Sequence, residues 1–111
     1  MSPEVLLVGQ PGLGSGDETL GGLLLANLLR QLADSPARPT HIIFWNTGVR
    51  ALIGGSPHIA HLRRLHELGA DILACRTCLE YLGLEEKVVV GRISNMAEIE
   101  GLLLTKSVLT V

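Results

Sequence analysis

The sequence has few aromatic residues and little net charge. Its 111 residues include one Phe, one Trp and one Tyr, yet 47% are hydrophobic, so the core must be built from Leu, Ile, Val and Ala. Nine Lys and Arg against eleven Asp and Glu leave a formal charge of -2. Nucleic acids and anionic membranes are bound by clustered Lys and Arg. We therefore expect neither as a partner.

Long apolar runs and targeting signals are also missing. No run approaches the ~20 apolar residues that span a bilayer. The opening MSPEVLLVG has neither the basic segment nor the long apolar segment of a secretory signal peptide. These features predict a cytoplasmic protein. Cysteines stay reduced there, and a C-x-x-C pair is more often catalytic or metal-binding than a disulfide.

Short apolar runs alternate with segments of helical length. EVLLVG, THIIFWN, DILAC, KVVVG and SVLTV are the predicted strands. Because these runs are continuously apolar and separated by helices, they predict a parallel sheet covered on both faces. Domains typically have roughly 100–150 residues, so residues 1–111 are expected to form a single domain.

The predicted helices have recognisable start and stop signals. Ser15 and Glu18 match a capping box ahead of the first helix. Leu20, Leu24, Leu28 and Leu32 share one face of that helix, and Leu23, Leu25 and Leu29 widen its apolar surface well beyond a single stripe. Ser56 and Pro57 fit the start of a second helix that ends at Gly69. VRALIGGS, between the second strand and this helix, remains an ambiguous loop.

The polar and glycine-rich segments all follow predicted strands. In a parallel α/β sheet, ligands bind outside the carboxyl ends of the strands. The segments that would share that edge are Gly9–Asp17, Asn46–Gly48, Cys75–Cys78 and Gly91–Asn95. A binding site is therefore expected among them.

The glycine-rich loop does not match a nucleotide-binding motif. Gly12, Gly14 and Gly16 are followed by Asp17, where the dinucleotide fingerprint needs its third glycine, and no G-K-[ST] follows. Its amides, near a helix start, could hold a small anion. A tight strand-to-helix turn is the alternative.

The histidines do not complete a metal site. His58 and His61 lie one helical turn apart, but no cysteine or carboxylate is evidently placed to join them. A structural zinc site needs four ligands, and the chain has two cysteines. We predict solvated histidines on a helix face, no metal within one chain and no resident cofactor. A zinc site shared between subunits stays open.

The only two cysteines form a C-x-x-C pair. Cys75 ends a predicted strand, and Cys78 lies in the first turn of the next helix, where free amides, the helix dipole and Arg76 would favour a thiolate. A thiolate can accept sulfane sulfur, and its neighbour can resolve the persulfide. Two small buried residues are the alternative. Thioredoxin chemistry is disfavoured, because that fold usually has an aromatic residue ahead of the pair and a cis-proline loop after it. Here Ala74 precedes the pair and no proline follows Pro57.

Several segments together resemble a known superfamily. FWNTGVRAL, GADILACRTCLEYLGLEEKVVVGRISNM and the opening LLVGQPGLGSGDETLGG are similar to the DsrE-like sulfurtransferases. The likeness is greatest to the C-terminal domain of YedF-type proteins of selenium and sulfur metabolism. It implies an α/β/α sandwich around a five-stranded, mainly parallel sheet. It also implies homo-oligomers, as dimers, trimers or hexamers.

The resemblance also implies a function. Cys75 would carry persulfide sulfur (or selenium), with Cys78 as the assisting thiol, and relay it to a protein or small-molecule acceptor. A TusA-like protein would be a separate partner, because no TusA-like domain precedes this one. The residues expected around the pocket are Gly14, Gly16, Asn46, Thr47, Gly48, Arg76, Thr77 and Asn95. Arg76 stands where relatives commonly have glycine. A non-catalytic oligomeric module that binds an anionic or nucleotide-like ligand is the alternative.

Overall fold

Five short parallel strands form the centre of the molecule. The computed structural model describes residues 2–111. The strands are β1 (Val5–Val8), β2 (His41–Phe44), β3 (Asp71–Cys75), β4 (Arg92–Ser94) and β5 (Val108–Thr110). They lie in the order β4-β3-β2-β1-β5, and every neighbouring pair is parallel. The predicted sheet is confirmed.

Helices cover both faces of the sheet. They are α1 (Glu18–Asp34), α2 (Ile59–Glu67), α3 (Arg76–Leu82) and α4 (Met96–Thr105), together with 3₁₀ helices at Asn46–Leu52 and Glu85–Lys87. Strand side chains point alternately to the two faces, which gives two cores. The larger core contains α1, α2, α3 and the first 3₁₀ helix, and the smaller one contains α4. The three-layer α/β/α sandwich is therefore confirmed.

The buried face of α1 is not the stripe of leucines at four-residue spacing. Leu20 and Leu24 are 54% and 44% exposed, whereas the buried residues are Gly21, Leu25, Leu29 and Ala33. The cause is a close backbone approach: a Cβ on Gly12 would lie 2.8 Å from the carbonyl carbon of Gly21. This contact sets the rotation of the helix. The buried face therefore includes Leu25 and Leu29 from the wider apolar surface, and not the stripe at four-residue spacing.

The predicted capping box at the start of α1 was wrong. Asp17 is the N-cap residue, and its carboxylate accepts a hydrogen bond from the Leu20 N–H at 2.9 Å. Ser15 lies before the cap. An aspartate N-cap satisfies a free amide of the first turn directly, so no second side chain is needed.

The second helix ends at the predicted glycine but begins later than predicted: its N-cap residue is His58, so Pro57 lies before the helix and not in its first turn. The Ser56 hydroxyl accepts from the His58 N–H at 3.1 Å just before α2 begins. Gly69 ends the helix with a φ of 105°, and the next residue, Ala70, donates back to the Leu65 carbonyl. This bond is the one that characterises a Schellman motif at the end of a helix. The first half of the ambiguous VRALIGGS segment belongs to the 3₁₀ helix Asn46–Leu52.

The fourth strand lies after the segment KVVVG and not within it. Val88 makes one isolated antiparallel bridge to Ile53. Gly91 then turns the chain with a φ of 82°, against the Ile72 carbonyl, 2.8 Å from where a Cβ would lie. β4 is polar at its start, and Arg92 binds Asp71 and Glu98 at 2.9 and 2.6 Å. Periodicity missed this strand because an ion-paired arginine begins it.

Candidate functional site

Loops from β2 and β3 meet at the carboxyl edge of the sheet. Phe44 pairs with Ala74, so the segment after Phe44 lies beside the segment that starts at Cys75. Between them is a cleft of about 550 Å³, here called the cysteine cleft. It is lined by Trp45, Asn46, Thr47, Cys75, Thr77, Cys78, Tyr81, Leu82 and Met96. Both cysteines therefore share one concave surface.

Cys75 is the more deeply buried thiol. It is 2% exposed and belongs to the smaller core, where it lies in the same cluster as Leu73 and Ile99. Strand alternation explains this position, because Leu73 and Cys75 point to the same face of β3. Cys75 is also the N-cap residue of α3, but its side chain makes no cap hydrogen bond. Cys75 therefore lines the cysteine cleft although most of its side chain is packed in the smaller core.

Cys78 is half-buried and holds a backbone hydrogen bond. It is the third residue of α3, and its Sγ accepts from the Asn46 N–H at 3.0 Å. Burial raises the pKa of the Cys78 thiol, the neighbouring Cys75 thiol raises it further, and the Asn46 amide lowers it in part. The predicted lowering by the helix start is therefore wrong for Cys78, because burial outweighs the amides. The exposed Arg76 is not among the causes.

Asn46 has an unusual backbone conformation. Its φ of 54° is the one positive value among the non-glycine residues from 2 to 111. Its Oδ1 accepts from the Thr47 N–H at 2.9 Å. Gly48 follows, and a Cβ there would lie 2.4 Å from the Val8 carbonyl oxygen. The tight approach of Gly48 to β1 and the Asn46–Thr47 bond together fix the direction of the Asn46 amide.

The walls of the cysteine cleft are neutral and largely apolar. Tyr81 is 89% exposed and Met96 is 48% exposed at its rim, and Trp45 is half-buried. No Lys, Arg, His, Asp or Glu of the part of the chain that the structure describes lines it. Apolar atoms and hydrogen-bonding groups, and not charge, would therefore select what enters.

Sequence reasoning missed four of the lining residues. They are Trp45, Tyr81, Leu82 and Met96. A signal existed for two of them: Trp45 directly follows β2, and Tyr81 lies three positions after Cys78, on the same helix face. The position of Met96 depended on β4, which had been placed too early.

The glycine-rich loop forms a second, separate cavity of about 430 Å³. Gly14 and Gly16 line it, as do Asp17 and Glu18, with Arg50 opposite. Two carboxylates face one cation there, and the Asp17 carboxylate already occupies the helix start. This geometry favours the tight-turn interpretation over an anion site.

The predicted pocket residues are divided by the fold. Asn46, Thr47 and Thr77 line the cysteine cleft, and Thr47 also lines the glycine-loop cavity. Gly48 is buried beneath that edge. Arg76 is exposed and lines neither. Asn95 caps α4, where its Oδ1 accepts from the Glu98 N–H at 2.9 Å. The structure therefore brings part of the predicted set together at the cysteines.

His58 is buried, contrary to the prediction of a solvated histidine. It is 1% exposed, and its Nδ1 has no hydrogen-bond partner. Burial lowers its pKa, the Pro11 carbonyl raises it in part and His61 lowers it further. Within residues 2–111, no group of three or more His, Cys, Asp or Glu is placed to hold a metal ion. No helix of that same range is both long and apolar enough to cross a membrane.

Solved structures share the fold along nearly the whole chain. The ychN protein of E. coli matches with a TM-score of 0.75 at 16% identity, covering 100% of both chains. MTH1491 from Methanobacterium thermoautotrophicum, a protein of unknown function, has a TM-score of 0.67 at 19% identity, with 96% of both chains covered. BT1422 from Bacteroides thetaiotaomicron, also of unknown function, has a TM-score of 0.63 at 16% identity and covers 97% of this chain. No family model and no curated protein matches. At such identities the likeness shows the fold alone, and this chain has the fold of YchN.

Proposed function

We propose that the protein carries sulfane sulfur (or selenium) on its cysteine pair and passes it to a thiol acceptor. The observation that carries this proposal is the Cys78 thiol, which lies in an open cleft, accepts a hydrogen bond from the Asn46 amide and neighbours Cys75. A thiol in this position can form a persulfide, and a second thiol beside it can release the sulfur. The resemblance of the C-x-x-C segment to DsrE-like sulfurtransferases supports the same chemistry.

The neutral cleft supports an organic sulfur donor. An inorganic dianion such as thiosulfate is bound by positive charge, and no cationic side chain lines the cleft among the described residues. A persulfide on a cysteine of a small molecule or of another protein has carbon atoms next to its reactive sulfur, and an apolar cleft can contact them. The exposed Tyr81 and Met96 offer apolar contact to such a donor.

Intact-mass measurement tests the proposal. The reduced protein is incubated with glutathione persulfide, and the double variant Cys75→Ala/Cys78→Ala is treated identically as the control. We expect a species heavier by one sulfur atom on the unmodified chain and none on the control. If the unmodified chain gains neither the extra sulfur nor a Cys75–Cys78 disulfide formed with release of HS⁻, or if the control gains as much sulfur, the sulfur-carrier function is refuted.

The proposal extends to partners and location. Free thiols stay reduced in the cytoplasm, so we place the carrier there, with a TusA-like protein as a donor or acceptor.

We also propose self-association through the outer face of α1, where Leu20 and Leu23 are 54% and 60% exposed. Light scattering after size exclusion should show an oligomer that Leu23→Glu dissociates. A monomer at micromolar concentration would contradict self-association.

A binding module for an anionic or nucleotide-like ligand is less well supported. The cavity that such a ligand would use is lined by Asp17 and Glu18 against one arginine. Titration with inorganic phosphate should therefore leave the thermal midpoint unchanged. A saturable rise that Arg50→Ala abolishes would revive this alternative.

A further inference from the structure

We propose that Cys78, and not Cys75, accepts the incoming sulfur, and that the backbone amide of Asn46 holds the reacting Sγ while Cys75 acts as the resolving thiol. This inference rests on the proposed sulfur-carrier function. It reverses the order that the family resemblance implies. Three features of the cleft support it: access, the direction of one amide and the position of the second thiol.

Access separates the two thiols. The Cys75 side chain is 2% exposed and lies within the apolar cluster below α4. Cys78 is half-buried and lines the open cleft between Trp45 and Tyr81. The attacking thiolate must contact the outer sulfur of the donor persulfide from the side opposite the S–S bond that breaks. The structure leaves that approach open at Cys78.

The Asn46 amide is aimed at Cys78 by a strained backbone. A non-glycine residue rarely adopts a positive φ, and such residues cluster at functional sites. Here the Asn46–Thr47 hydrogen bond and the approach of Gly48 to the Val8 carbonyl hold the conformation. Its consequence is the 3.0 Å hydrogen bond from the Asn46 N–H to Sγ. Hydrogen bonds to an ionised acceptor are stronger than neutral ones, so this donor favours the thiolate that attacks.

The chemical steps balance with the groups present. Cys78 loses its proton to water, and its thiolate attacks the outer sulfur of a donor R–S–SH. The donor S–S bond breaks as the new one forms, which gives Cys78–S–SH and R–S⁻. An acceptor thiolate can then take the outer sulfur and restore the Cys78 thiolate. Alternatively, the Cys75 thiolate attacks Sγ of Cys78, forms a disulfide and releases HS⁻; a dithiol reductant then supplies two electrons and two protons to reset the pair.

Single cysteine variants test the order of the thiols. Cys75→Ala and Cys78→Ala are each treated with glutathione persulfide and separately with iodoacetamide, a neutral alkylating reagent. We expect the sulfur adduct and fast alkylation on Cys75→Ala, and neither on Cys78→Ala. An adduct on Cys78→Ala at the rate of the unmodified chain would overturn the proposal.

Substitutions at Asn46 test the amide. Glycine adopts φ of 54° readily and keeps the N–H, whereas valine is driven out of that conformation. In a Cys75→Ala background, we expect Asn46→Gly, which keeps the backbone N–H but loses the bond of the side chain to Thr47, to alkylate faster than Asn46→Val. Asn46→Val should alkylate about tenfold more slowly at neutral pH, as expected for the loss of a hydrogen bond to a charged group, with its pH midpoint moved upward. Equal rates and equal midpoints for the two variants would refute the role of the amide.

The two proposals fail in different ways. If no sulfur adduct forms on any protein, the carrier function is wrong, while the alkylation series still ranks the two thiols and still measures the amide effect. If the adduct forms but resides on Cys75, the carrier function stands and the order proposed here is wrong. Circular dichroism of each variant establishes that a slow rate is not due to unfolding.

Discussion

The cysteine cleft and the glycine-rich loop lie at the same edge of one sheet, but their backbone groups have different partners. In the glycine-rich loop the polar groups are satisfied within the turn: Asp17 accepts from Leu20, and Gln10 donates to the Gly14 carbonyl at 2.6 Å. In the cysteine cleft the Asn46 amide donates to a thiol. Both loops lie at the carboxyl edge of the sheet, but only in the cysteine cleft does a backbone N–H donate to a side-chain atom that can react.

The two loops also differ in how they achieve left-handed conformations. Gly14 and Gly16 have φ of 71° and 116° without steric cost, because glycine lacks a Cβ. Asn46 adopts 54° as a non-glycine residue, at a cost of about 1 kcal/mol or more. The glycine-rich loop thus adopts its positive φ values without strain, whereas the φ of Asn46 depends on the contacts around it. Three predictions test this difference between the two loops.

The largest effect is expected from adding a methyl group at Gly48, compared with the same change at Gly14. Gly48→Ala would place a Cβ 2.4 Å from the Val8 carbonyl oxygen, and we expect it to lower the free energy of unfolding by about 3 kcal/mol. Gly14→Ala meets no atom within 4 Å and should cost only about 1 kcal/mol, through its positive φ. Urea denaturation measures both values. Equal costs would show that the loop after β2 is not held more tightly than the glycine-rich loop.

An intermediate effect is expected at the start of α1. Asp17→Ala should lower the free energy of unfolding by about 1 kcal/mol, the usual contribution of an N-cap side chain. Ser15→Ala is the control: it lies outside the cap and should change stability by less than about 0.5 kcal/mol. If the two variants lose equal stability in urea, the turn is held by more than its aspartate cap.

The smallest effect on the fold, but a clear one on reactivity, is expected from Cys75→Ala. Because the Cys75 thiol raises the pKa of Cys78, its removal should lower that pKa and enlarge the thiolate fraction at any pH below it. The rate of alkylation of Cys78 should therefore reach half its maximum at a lower pH than in the unmodified chain. Among the lining residues, the other titratable side chain is Tyr81, so Tyr81→Phe is the control. A midpoint unmoved by Cys75→Ala would show that the thiols do not interact.

Much of the fold could be predicted because local signals agreed with the tertiary structure. Continuous apolar runs indicated buried parallel strands, and Gly69 marked the end of α2. The buried face of α1 could not be predicted, because leucines surround that helix and the contact of Gly12 with Gly21 chose among them. β4 was missed because it begins with the ion-paired Arg92 and pairs with β3, so no continuous apolar run marks it.

The candidate site was predicted only in part. The strand-loop pattern pointed to Asn46, Thr47, Cys75, Thr77 and Cys78, which do line one cleft. It also grouped them with Gly14, Gly16 and Arg76, which the structure places elsewhere. Spacing along the chain identifies the loops that share an edge, but it does not show which loops touch or which way a side chain points.

Local apolar periodicity and turn residues indicate the alternation of strands and helices, the parallel sheet and the edge on which the C-x-x-C pair lies. They do not indicate which thiol is accessible or which backbone amide faces it, because both depend on tertiary packing. Burial of Cys75 depends on α4, which follows it by some twenty residues, and the Asn46 amide reaches Cys78 across 32 positions of sequence. Long-range packing fixes such contacts, and no local pattern records them.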